Sequence, residues 1–322
     1  MRREASMIRQ PRTVLAVLTA ACIVAVAVAG AQNPTDRFAG VELTVVPVAG
    51  QVHMVTRPGG GGNVGVFAGP DGVLLVDSLF APLAERLVAA VRSVSDGEIR
   101  FLINTHVHPD HIGGNAPLAD RDVVIFAHDN VRVRTLERLR FPRRGGSFAP
   151  RPAAGARPLV TYNDAVSFHF NGEEVRAFLA PAAHTDGDTF VHFPESDVLH
   201  LGDVFRTTSY PIVDVYNGGT VAGTVAALEK AIAMAGPATR VIPGHGLQVV
   251  GRDAMIEFLD MIVDVRDRVQ AMIAEGYTLE RVMEAAPTAA YDAQWGREAT
   301  WTANDFVPIV FYELGGGSLF VR

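Results

Sequence analysis

Cysteine is nearly missing from this 322-residue chain: the only one, Cys22, lies inside the first apolar run. A disulfide framework is therefore excluded, and so is a thiolate ligand for any metal beyond that run. Lysine is equally scarce, Lys230 being the single example, so positive charge is carried by arginine. Excess positive charge is absent too. The formal net charge is −7, which leaves no electrostatic footprint for nucleic acid and excludes it as an expected partner. No low-complexity linker or run of like charges divides the sequence.

The first residues carry Arg2, Arg3, Arg9 and Arg12, and Val14 to Val28 is almost wholly apolar. Ala29-Gly-Ala31 then supplies small residues in a cleavage pattern. A charged start, an apolar run and an A-x-A site read as a secretory signal peptide over residues 1–31. The run falls short of the ~20 residues a spanning helix needs, so no stable membrane insertion is expected after cleavage. Thr19-Ala-Ala-Cys22 is a poor lipoprotein box, with Thr where Leu is usual, and Arg2-Arg3 lacks the hydrophobic residues of a twin-arginine signal. The expected location is periplasmic or secreted. Removing the leader's four Arg and one Glu takes the formal charge from −7 to about −10. The remainder, 32–322, is long enough for one domain with a substantial core.

Histidine and aspartate are present, and they are concentrated. Asn104-Thr-His-Val-His-Pro-Asp-His-Ile-Gly-Gly-Asn115 holds His106, His108, Asp110 and His111 within six residues. Ile99–Ile103 before it is an apolar run of strand length, and Pro109, Gly113 and Gly114 break any regular element after it. The cluster thus sits where a strand ends and a loop begins. Residues i and i+2 leave a strand on one side, which lets His106 and His108 converge. A turn at Pro109 can bring Asp110 and His111 round to the same point. Three imidazoles and a carboxylate are ligands of the kind zinc takes.

His106-x-His108-x-Asp110-His111 resembles the signature of the metallo-β-lactamase-fold superfamily. That family draws further ligands from distant loops, and the chain offers them in order: Pro181-Ala-Ala-His184-Thr-Asp-Gly-Asp188, Val198-Leu-His-Leu-Gly-Asp203 and Val241-Ile-Pro-Gly-His245-Gly246. The resemblance implies an α/β architecture, the αββα four-layer sandwich. It implies one metal on His106, His108 and His184, a second on Asp110, His111 and His245, and Asp203 between them. The expected cofactor is two Zn²⁺ per chain, with iron or manganese as alternatives. Two close cations would lower the pKa of a shared water, and Asp110 would serve as the catalytic proton carrier.

The resemblance implies a metal-dependent hydrolase of an ester-like or amide-like bond (β-lactam, lactone or thioester) in a small-molecule substrate. An iron-dependent oxidoreductase of the sulfur dioxygenase kind is the alternative on the same ligands, and a non-catalytic binding protein would be expected to lose some of them. A β-lactamase of the cysteine-containing branch would have Cys where Asp203 stands. Glyoxalase II-like thioesterases read His-Thr-Pro-Gly-His where this chain has His184-Thr-Asp-Gly-Asp. Arg206, Tyr210 and Asn217 are candidate substrate contacts by position.

Outside the ligands, strands are predicted over Val41–Val48, Val52–Thr56, Val64–Ala68, Val73–Asp77, Val123–Ala127, Ala165–Phe170, Glu174–Leu179, Thr189–Phe193, Val198–Leu201 and Arg240–Ile242. Helices are predicted over Ala81–Val94, His128–Arg140, Val221–Ala235, Ala254–Ala274, Leu279–Ala286 and Asp305–Leu314. Gly59–Gly62 lacks the Lys-Ser/Thr of a phosphate loop and reads as a flexible hairpin tip. Phe141–Pro158 reads as a long loop. Asp77 is expected to cap a helix or support a ligand. Asp186 and Asp188 are expected in turn and ligand-supporting roles, His128 in capping or packing, and His169, His192 and His200 as ordinary strand residues.

Overall fold

The computed structural model describes residues 38–140, 148–149, 152–298 and 300–316. The leader, with Cys22, and much of Phe141–Pro158 lie outside them. Among the described residues no helix is long and apolar enough to cross a membrane.

Valine-rich alternation builds the first sheet. Strands β1 (Thr44–Ala49), β2 (Val52–Thr56), β3 (Val64–Gly69) and β4 (Gly72–Val76) form successive antiparallel hairpins. Helix α1 (Ala84–Arg92) then crosses over to β5 (Ile99–Ile103), parallel to β4. Two short helices, α2 (Pro109–Ile112) and α3 (Asn115–Ala119), lead to β6 (Val124–His128). Helix α4 (Asp129–Arg134) follows, then the small pair β7 (Leu139–Arg140) and β8 (Phe148–Ala149), and β9 (Val160–Tyr162) closes the sheet beside β6. The sheet order is β1-β2-β3-β4-β5-β6-β9.

The second sheet, β10-β11-β12-β13-β14, comprises β10 (Ala165–Phe170), β11 (Glu173–Leu179), β12 (Thr189–Phe193), β13 (Val198–His200) and β14 (Arg240–Ile242). Helix α5 (Val221–Met234) links the last two, which run parallel. Helices α6 (Arg252–Ala274), α7 (Leu279–Glu284), α8 (Asp292–Trp295) and α9 (Ala303–Glu313) complete the order.

Strand periodicity assigns each face. Leu74 and Val76 join Phe170, Val191 and Phe193 in the core between the sheets, while Val73 and Leu75 pack on Leu87 and Val91 of α1. Likewise Val198 and Ile242 face the other sheet, while Leu199 and Val241 face Leu228 of α5 and Phe258 of α6. The layers are therefore helix, sheet, sheet, helix: the expected αββα sandwich.

Register then positions the loops. Val76 pairs with Ile103, so Asp77 and Asn104 leave neighbouring strands at one edge. His200 pairs with Ile242, so the loops carrying Asp203 and His245 leave side by side. These are the carboxyl ends of parallel strands, where ligands bind in open α/β sheets.

Two expectations need correction. The predicted helix over His128–Arg140 ends at Arg134, because Thr135 Oγ1 hydrogen-bonds back to the Arg132 carbonyl at 2.6 Å and Leu139–Arg140 pairs as a strand. The segment after His108 is not irregular: Pro109 starts the helical turn α2, where its missing N–H costs nothing.

Candidate metal centre

Four loops converge on one point. His106, His108 and His184 offer ligand atoms mutually within 4.8 Å; so do His106, His111 and Asp203, and so do Asp110, His111 and His245. All seven sequence-predicted ligands are brought together. Asp203 reaches both ends of the group: Oδ1 lies 3.1 Å from His111 Nε2, and Oδ2 lies 3.1 Å from His245 Nε2 and 3.7 Å from His184 Nε2. Asp110 Oδ2 is 3.3 Å from His245 Nε2.

The outward-facing nitrogens explain what the inward-facing ones are for. His184 Nδ1 donates to the Ile212 carbonyl at 2.5 Å, and His108 Nε2 donates to the Asp214 carboxylate at 2.7 Å. His111 Nδ1 donates to Asp77 Oδ2 at 2.7 Å. Thr105 Oγ1 gives its proton to Asp77 and so accepts from His106 Nδ1 at 3.0 Å. Carbonyls and carboxylates only accept, so each neutral ring carries its proton outward and turns a lone pair inward. His108 Nδ1 and His184 Nε2 then face each other at 2.9 Å, acceptor to acceptor. His106 Nε2, His111 Nε2 and Asp203 Oδ1 are buried with no hydrogen-bond partner. Lone pairs brought together without donors are what a cation would satisfy, so the donor set fits divalent metal.

Electrostatics keep two of these rings, His106 and His184, neutral. Burial and the neighbouring His111 and His184 hold His106 well below the usual imidazole range. Burial and His108 bring His184 down to about 4. His111 goes the other way: burial opposes its charge, but Asp203, Asp77 and Asp110 surround it and raise it well above that range. Burial would raise Asp203, yet His245 and His111 hold it far below the usual carboxylate range.

Glycines in the motifs have steric causes. A Cβ on Gly244 would stand 2.2 Å from Asp203 Oδ1, and one on Gly114 would stand 2.2 Å from the Ser78 carbonyl. Asp77 itself adopts φ 69°, a conformation few side chains tolerate, and its carboxylate takes hydrogen bonds from Thr105 N, Thr105 Oγ1 and His111 Nδ1. It orients His111 and Thr105, as a support of a candidate ligand would.

Other expected residues lie elsewhere. Tyr210 is fully buried in the helical layer, stacked on Phe306, with its hydroxyl 2.7 Å from Asp292 Oδ1, so its ring belongs to the core. Arg206 is 2% exposed and its charge is engaged within the chain, with Nη2 3.1 and 3.2 Å from the Glu298 carboxylate and Nη1 3.7 Å from Asp203. Asn217 Nδ2 donates to Asp214 Oδ2 at 2.5 Å and so supports the support of His108.

Asp186 does not reach a ligand imidazole: it pairs with Arg134. Asp188 closes its turn on the His184 and Thr185 amides rather than on a ring. His128 caps α4, accepting from Asn130 N. His169 is exposed and His192 half-buried on the second sheet. His200 is buried, and its Nδ1 accepts from the Gly202 amide at 3.2 Å. Asp214 was missed by sequence reasoning; its only signal is an acid ahead of a tight Val-Tyr-Asn-Gly turn.

An αββα sandwich that gathers these His and Asp side chains in the loops at one edge of its sheets has a metallo-hydrolase class of site. Residues 57–245 match the family model of the metallo-beta-lactamase superfamily. The chain belongs to that superfamily. It is 26% identical over 255 residues to a linear primary-alkylsulfatase of Pseudomonas sp. (strain ATCC 19151), covering 67% of this chain and 48% of that protein. It is 24% identical over 192 residues to a type 2 metallo-beta-lactamase of Bacillus cereus, covering 59% and 69%. In fold it is similar to a stereoselective inverting sec-alkylsulfatase of Pseudomonas sp., with TM-score 0.62 and 15% identity over 86% of this chain and 51% of that one. The chain spans about half the length of the alkylsulfatases it matches.

Proposed function

We propose that the protein is a zinc-dependent hydrolase of a small molecule carrying an ester-like or amide-like bond. The observation that carries this reading is the meeting of acceptor atoms His108 Nδ1 and His184 Nε2 at 2.9 Å, with Asp203 reaching from them to His111 and His245. His106, His108 and His184 would hold one ion, Asp110, His111 and His245 a second, with Asp203 between them. When bound, such ions supply Lewis acidity and bring the pKa of water towards neutrality. The chain's own groups orient that chemistry. Asp77, Asp214 and the Ile212 carbonyl fix which nitrogen of each ring faces inward. The Asp110 side chain is 20% exposed against 4% for Asp203, so Asp110 is the carboxylate that a substrate can reach and a proton can leave by.

With Arg206 engaged by Glu298 and Asp203, no cation of the candidate set is available for a substrate carboxylate. Leu247, two residues beyond His245, exposes an apolar side chain instead. The relatives extend the substrate classes to sulfate esters. Secretion through the leader remains part of this reading. The test is a hydrolysis screen over lactams, lactones, thioesters, phosphoesters and sulfate esters, with metal content measured on the same natively expressed sample. Turnover with about two zinc per chain supports the proposal. Iron with little zinc and no hydrolysis would move it to the oxidoreductase reading.

A further inference from the structure

The ligand His245 sits in a Pro-Gly-His-Gly turn with little secondary structure to hold it. We infer that Asn63, the residue just before β3, is the positioning residue for His245; this rests on the metal-centre reading above. Asn63 is 1% exposed, and it grips the turn on both sides of the histidine. Its amide N–H donates to the Gly244 carbonyl at 2.7 Å, and Nδ2 donates to the Pro243 and Gly246 carbonyls, both at 2.9 Å. Thr56 Oγ1 on β2 adds a bond to the Gly246 carbonyl at 3.2 Å. From the loop that follows β13, Thr207 N donates to the His245 carbonyl at 3.0 Å.

Both side-chain N–H groups of Asn63 are spent on carbonyls, so a carboxylate of the same shape could not replace it. The neighbour supports the assignment. A Cβ on Gly62 would stand 2.6 Å from His111 Cε1 and 2.7 Å from His111 Nε2, so backbone of this same hairpin lies against a second ligand. Gly62 and Asn63 thus end the glycine run not as a free tip but as the clasp between the first sheet and the loop that delivers His245.

The test is zinc uptake by the metal-stripped full chain, measured against a competing chelator, for wild type, Asn63→Ala, His245→Ala and the double variant. Asn63→Ala is expected to weaken uptake about tenfold, the scale of a lost ligand support. In the His245→Ala background it should weaken it no further, because the ligand it positions is gone. Thr56→Val, which removes one bond to the same turn, should show a smaller loss with the same dependence on His245, and it carries the test if Asn63→Ala does not fold. Equal losses in both backgrounds, or none, would overturn the assignment. His245→Ala without effect on uptake would instead overturn the ligand reading on which it rests.

Discussion

Asp77→Asn separates ligand support from ligand. The substitution keeps size and shape, and asparagine tolerates φ 69° as readily as aspartate, so no backbone strain is added. What changes is the partner of His111 Nδ1. Asp77 Oδ1 accepts from Thr105 N at 2.7 Å, and Oδ2 accepts from Thr105 Oγ1 and His111 Nδ1, each at 2.7 Å. With the amide oxygen kept on Thr105 N, the new NH₂ faces His111 Nδ1. That nitrogen must then accept, and the ring proton moves to Nε2, the atom 3.1 Å from Asp203 Oδ1 that should face metal. Loss of such a support weakens metal binding by about 10–100-fold, or about 1.4–2.8 kcal/mol. Thr105 Oγ1 also loses its acceptor and with it the orientation of His106 Nδ1 at 3.0 Å, which places the loss in the upper part of that range. The assay is zinc titration of the stripped protein, with far-UV circular dichroism to show that the fold is retained. Wild-type affinity in Asp77→Asn would refute the tautomer argument.

Asp203→Ala should lower the metal ratio from about two towards one per chain, since three histidines still serve the first ion; elemental analysis reads this, and an unchanged ratio removes Asp203 from the ligand set. The metal-free and metal-loaded forms should respond oppositely to alkali. Without metal, His111 titrates above its unfolded value of about 6.5, so its stabilising pairing with Asp203, Asp77 and Asp110 is full below that pH and is lost as pH rises through the folded value. His106 and His184, held low, stay neutral throughout this window. Metal needs neutral imidazole, so the loaded form gains from the same rise. Melting temperatures of both forms between about pH 6 and 9 check this, and parallel slopes would contradict it. Mass spectrometry of secreted material should show a chain starting near Gln32; an intact leader or a lipid on Cys22 would refute the proposed processing.

The seven residues that converge were legible in the sequence because each sits in a short motif whose residue types have one common use. His106-x-His108-x-Asp110-His111 needs no tertiary information to be noticed, and the unbroken apolar run Val73–Val76 is that of a strand covered on both faces. Supports were less legible. Asp214 looks like any turn acid until folding brings it 106 positions back to His108. Asn63 follows a glycine run that reads locally as slack, and its partners lie 180 and 183 residues away. Tyr210 and Arg206 were misplaced for the complementary reason: closeness in sequence to Asp203 says nothing of direction, and the short turn Gly202–Val204 sends Tyr210 into the helical layer and Arg206 towards Glu298. The helix after His128 was overdrawn because propensity cannot see the strand pair that claims Leu139 and Arg140.

The most direct measurement is turnover before and after metal removal, with circular dichroism on the same samples. The site lies on loops at strand ends, and the three main cores that carry the sandwich are apolar. Stripping with a chelator should therefore abolish hydrolysis of whichever substrate the screen identifies, zinc should restore it, and the dichroism should stay unchanged. Hydrolysis that survives complete metal removal would contradict a metal-dependent mechanism, and unfolding on removal would show the ions to be structural.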